Sequence, residues 1–79
     1  MDAPRIESVK PLDGKRLLVG FANGEVKVYD CTHLLESERF QLLNTEAFFR
    51  AVRVDAGGYG ISWNDEMDLS ECELWEKRN

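Results

Sequence analysis

Arg16-Leu17-Leu18-Val19-Gly20-Phe21-Ala22-Asn23-Gly24-Glu25-Val26-Lys27-Val28-Tyr29 is the stretch that decides the fold. A β-rich run leads into Asn-Gly, the strongest short hairpin signal, and an alternating run follows. Read as a two-residue reversal, Asn23-Gly24 sets Ala22 opposite Glu25, Phe21 opposite Val26 and Val19 opposite Val28. Those four large apolar side chains then share the core face. Working back towards the N-terminus, Arg5 to Leu12 alternates loosely and Asp13-Gly14 is a second turn signal. A two-residue loop there puts Ile6 opposite Phe21, on the same face. Pro11 cannot donate to the ladder and marks a place where a bulge is expected.

The same registers align Val9, Leu18 and Tyr29 across the other face of the meander, beside Lys27 and Gly20. A chain of 79 residues has few elements with which to cover both faces of a sheet. That stripe is therefore the candidate self-association surface.

Working forward from Cys31, the period changes. Thr32 is placed to cap a short helical turn carrying Leu34 and Leu35. Phe40, Leu42 and Leu43 fall in an irregular link. Asn44 or Thr45 is placed to cap a second helix, Glu46 to Arg50, with Phe48 pointing inward. Strand signals return at Val52-Arg53-Val54-Asp55 and Tyr59-Gly60-Ile61-Ser62-Trp63, reversed at Gly57-Gly58. That hairpin pairs Val54 with Ile61 and Val52 with Trp63. Asn64-Asp65 is the next turn. Ser70 and Glu73 match the capping box S-x-x-E of a last helix reaching about Lys77, with Cys72 and Trp75 facing inward. The expected architecture is α+β: a three-stranded antiparallel meander, short helices, a β-hairpin and a C-terminal helix (βββ-α-ββ-α) in one domain, residues 1–79.

Composition bounds function. Hydrophobic residues make up 43% of the chain and charged residues 32%, which suits one modest globular core. The net charge of −5 argues against direct nucleic-acid binding, which needs concentrated Lys and Arg to displace counterions. A basic protein is the better electrostatic partner. Met1-Asp2-Ala3-Pro4 opens no signal peptide, and no apolar run approaches the ~20 residues that span a bilayer. The expected location is the cytoplasm, where Cys31 and Cys72 are free thiols.

The chain offers little catalytic chemistry. Asp30, Cys31 and His33 include the single histidine, but Cys and His two apart rarely face each other as nucleophile and base. Asn64, Asp65, Glu66, Asp68 and Glu71 lack the central glycine of a calcium loop. Gly57-Gly58-Tyr59-Gly60 precedes a strand, whereas a phosphate-binding loop precedes a helix and carries a Lys-Ser/Thr pair. Cys31, His33 and Cys72 contain no C-x-x-C pair for zinc. No catalytic residue, metal or cofactor is expected.

The segment from Val52 through Ser70, with Glu73-Leu74-Trp75 behind it, resembles the family of small bacterial proteins known as domain of unknown function 2442. Its motif positions here are Gly57, Gly58, Tyr59, Gly60, Trp63 and Asn64. Pro4-Arg5-Ile6, Leu17-Leu18-Val19, Phe21-Ala22-Asn23-Gly24-Glu25, Val28-Tyr29-Asp30 and Leu34-Leu35-Glu36 agree with it, so the likeness covers nearly the whole chain. The resemblance implies three strands, a helix, two strands and a helix, and carries over no activity. Relatives occur alone or joined to a C-terminal helix-turn-helix domain, which implies a regulatory or antitoxin-like role. With no such extension after Asn79, direct operator binding is not expected. Two functional expectations follow: a non-enzymatic interaction module forming a homodimer, or a transcription-linked component acting with a separate protein.

Overall fold

The structure, a computed structural model, describes residues 3–76. Six strands form two antiparallel sheets. The first contains β1 (Ile6–Leu12), β2 (Arg16–Phe21) and β3 (Val26–Asp30) in that order. The second contains β4 (Arg53–Val54), β5 (Gly60–Asn64) and β6 (Met67–Ser70). Between the sheets run two 3-10 segments, Thr32–Glu36 and Glu38–Asn44, and a one-turn helix α1 (Glu46–Phe49). A third 3-10 turn, Ala56–Gly58, joins β4 to β5, and α2 (Glu71–Glu76) follows β6. The expectation that this last helix reaches Lys77 falls outside the described residues. The α+β class stands, and the expected second hairpin gains a third strand. In β6, Met67 and Leu69 are buried while Asp68 and Ser70 are exposed, the alternation of a strand with one face covered.

Both loops of the meander hold three residues, which shifts its pairing by one. The turn at Phe21 to Gly24 closes with Gly24 N–H donating to Phe21 O at 3.0 Å, and Phe21 N–H donates to Glu25 O at 2.8 Å. Gly24 alone takes the positive φ, 91°, so this is a type I turn with a glycine bulge and not a type I′ turn. Asn23 Oδ1 accepts from Glu25 N–H at 3.0 Å and holds the turn. The observed partners are Gly20 with Val26, Val19 with Lys27, Leu18 with Val28 and Leu17 with Tyr29. A one-residue shift moves every side chain of a strand to the opposite face. Val26 and Val28 therefore lie outward, 60% and 43% exposed, and the expected Phe21–Val26 and Val19–Val28 pairs do not form.

The first hairpin repeats the pattern. Leu12 pairs with Arg16 around Asp13-Gly14-Lys15, where Gly14 and Lys15 both have positive φ. Val9 therefore meets Val19, not Leu18. The bulge lies between Ile6 and Ser8 rather than at Pro11, which pairs with Leu17. Without the extra residue Glu7 would face Phe21; with it, Ile6 does, as expected, and is 3% exposed.

The core gathers Leu17, Val19, Phe21 and Tyr29 from the first sheet with Ile61, Trp63, Met67 and Leu69 from the second. Burying each large apolar side chain contributes roughly 1.5–3 kcal/mol. Val54 pairs with Ile61 as expected, and Val52 and Trp63 both pack on this core. Phe49, not Phe48, is the innermost residue of α1; its ring stacks on Trp63, whose Nε1–H donates to Phe49 O at 3.0 Å. In α2 the inward residue is Leu74, 1% exposed, while Cys72 is exposed. Ser70 Oγ accepts from Glu73 N–H at 3.1 Å, the serine half of the expected capping box, while the Glu73 carboxylate accepts from Tyr29. Cys31 and Cys72 are both free thiols.

Candidate interaction surface

The observed register separates the three residues expected to form one stripe. Val9 and Tyr29 turn towards the core, Tyr29 being 1% exposed, while Leu18 turns away from it. The outward face instead carries three rungs: Leu12, Arg16 and Asp30; Lys10, Leu18 and Val28; Ser8, Gly20 and Val26. Leu18 is half-buried beside the exposed Val26 and Val28. Gly20 keeps the face low, because a Cβ there would lie 2.5 Å from Ser8 Oγ. Lys10 and Arg16 stand on the same face as Asp30. The Asp30 carboxyl is held below its ordinary value by hydrogen bonds from the Thr32 backbone and hydroxyl, so it is ionised.

Behind that face, β3 is gripped from its inner side. The Tyr29 hydroxyl donates to Glu73 Oε2 at 3.0 Å and lies 3.1 Å from His33 Nε2. Burial, reinforced by the Glu73 hydrogen bond and charge, raises the Tyr29 phenol well above the ordinary tyrosine value. Lys27 Nζ donates to Trp75 O at 2.7 Å and sits 4.0 Å from the Trp75 ring centre.

The residues considered for chemistry are dispersed into structural contacts. Asp30 Oδ1 serves Thr32, His33 meets Tyr29, and Cys72 is exposed on α2. The Cys31 thiol is fully buried, and burial together with Asp30 pushes it up to about 12. Among the described residues, no group of three or more His, Cys, Asp or Glu is placed to hold a metal ion. None of their helices is long and apolar enough to cross a membrane.

The glycine-rich motif shapes backbone. Gly57 and Gly58 have φ of 82° and 75°, and a Cβ on Gly58 would lie 2.5 Å from Ile6 O. This is how the two sheets approach each other. A Cβ on Gly60 would lie 2.6 Å from Leu69 O. Asn64 Oδ1 accepts from the Glu66 and Met67 N–H groups, both at 2.9 Å, and closes the β5–β6 turn. Tyr59 alone projects outward, 55% exposed, with the Arg5 guanidinium 3.8 Å from its ring centre. Arg5 also donates to Gly57 O at 3.3 Å and approaches Glu71 at 4.0 Å.

The motif residues Gly57 to Asn64 lie within the span of a known family. The family described as Protein of unknown function (DUF2442) matches residues 6–79. The chain belongs to that family. Membership covers both sheets and α2, and the family's description assigns no activity to them. No curated protein and no solved structure matches the chain.

Spacing alone did not reveal the Tyr29, His33 and Glu73 contacts. Their sequence signal was the alternation of Lys27 and Tyr29 with Val26 and Val28, which permits either face of β3 to turn inward.

Proposed function

We propose that this DUF2442 member is a non-catalytic protein-interaction module that self-associates through the outward face of its first sheet. The observation that supports it is the exposure of Val26 and Val28 beside Leu18 on a surface kept low by Gly20. A two-fold pairing needs a self-complementary patch. Lys10 and Arg16 on one copy can meet Asp30 on the other, around the shared apolar centre. The dispersal of the candidate chemical groups supports the non-catalytic part: Cys31 is a buried, protonated thiol, His33 is engaged with Tyr29, and the exposed Cys72 thiol lies on α2, a different element from both.

The size of the face sets the strength. Three strands about 4.8 Å apart, each rising about 3.3 Å per residue, give a patch roughly 15 by 20 Å. That falls short of the ~800 Å² per partner typical of a stable complex. Association is therefore weak and concentration-dependent. Sedimentation equilibrium from micromolar to millimolar protein tests this directly. A rising mass that Val26→Lys abolishes supports the proposal. A wild-type monomer at the highest concentration removes it.

A further inference from the structure

We propose that α2 is a latch on β3, and that its docking controls whether the outward face can associate. The interface part rests on the self-association proposed above; the latch itself does not. In β3, alternate side chains point to opposite faces. Val26 and Val28 belong to the outward face, and Lys27 and Tyr29 hold α2 on the other. Both inward residues make a specific bond to the helix: Lys27 to the Trp75 carbonyl at 2.7 Å, Tyr29 to Glu73 at 3.0 Å. Leu74 anchors α2 in the core, and Trp75 meets Phe21 edge-on at 5.0 Å between ring centres. β3 is the last strand of its sheet and has a neighbouring strand on one edge alone, so the contacts that α2 makes with its inner face add to what β2 supplies.

The latch also fixes a proton. Tyr29 has one hydroxyl hydrogen, and Glu73, as a carboxylate, can only accept it. The 3.1 Å contact to His33 Nε2 then requires the imidazole to donate, so His33 carries its hydrogen on Nε2. The histidine ring thus reports whether the helix is docked.

Two measurements on the whole chain test this. In wild type, long-range ¹H–¹⁵N spectra should show His33 protonated at Nε2 under neutral conditions. An Nδ1–H tautomer overturns the relay and the latch with it. In Glu73→Ala, amide exchange at Lys27 and Tyr29 should accelerate at least tenfold while exchange in β5 is unchanged. The association seen by sedimentation should weaken at least fivefold. Unchanged exchange in β3 overturns the latch. Faster exchange with unaltered association overturns its control of the interface. A monomeric wild type removes self-association and that control together, and leaves the latch to be judged by exchange and tautomer. Should Glu73→Ala not fold, Tyr29→Phe provides the same exchange comparison.

Discussion

Tyr29 lies directly across the ladder from Leu17, and both side chains are buried against the second sheet. That pairing puts a phenol inside the molecule and two valines outside it. The separation of core from surface in the meander follows from it.

Substitutions should reproduce this division. Leu17→Ala removes a fully buried side chain and should cost about 2–5 kcal/mol. Val26→Lys sits on the exposed outward face and should stay within about 0.5 kcal/mol of wild type. Urea denaturation followed by tryptophan fluorescence measures both. A strongly destabilised Val26→Lys would mean that Val26 faces the core.

The two thiols should behave differently. Cys72 is exposed, while the Cys31 thiol is buried and pushed up to about 12. One thiol should react promptly with a disulfide reagent in the native protein, and the second only on addition of denaturant. Prompt reaction of both would place Cys31 at the surface.

Stability should fall at alkaline pH. The folded value for Cys31 lies above its ordinary value of about 9, so the native state keeps a proton that the unfolded chain releases. The stabilisation is complete below about pH 9 and is lost as pH rises towards 12, at up to about 1.4 kcal/mol per pH unit. Tyr29, also raised, acts in the same direction at higher pH. Urea midpoints measured from pH 8 to 11 should decline for wild type and decline less for Cys31→Ala. Parallel declines would remove the thiol's share.

The glycines should not be equivalent. Gly24 and Gly58 both have positive φ, but a Cβ on Gly24 meets nothing within 4 Å, and one on Gly58 meets Ile6 O at 2.5 Å. Gly24→Ala should cost about 1 kcal/mol through its backbone alone. Gly58→Ala should cost clearly more, because the two sheets must part. Equal thermal midpoints for the two variants would contradict the close approach.

The elements were legible in the sequence, and the meander register was not. Asn23-Gly24 correctly marked a reversal, but the same dipeptide serves a two-residue turn or a three-residue turn with a glycine bulge. The two differ by one residue of register, and local pattern favoured the pairing that buries Val26 and Val28. The choice is settled by groups remote in sequence: Trp75 receives Lys27, and Glu73 receives Tyr29. The candidate stripe of Val9, Leu18 and Tyr29 failed for the same reason. Its middle residue survives on the outward face. The Val54–Ile61 pair of the second hairpin read correctly because both residues need one inward face whatever the loop between them, while the ladder stops at Arg53 and does not include the expected Val52–Trp63 pair. β6 was hidden by acids that look like a helix approach, although Met67 and Leu69 alternate with Asp68 and Ser70.

Nuclear Overhauser effects between α-protons of β2 and β3 test the placement of Tyr29 most directly. The expected result is strong cross-strand contacts from Leu18 to Val28 and from Gly20 to Val26. A contact from Val19 to Val28 would contradict it, return Val26 and Val28 to the core side, and leave the outward face without its apolar centre.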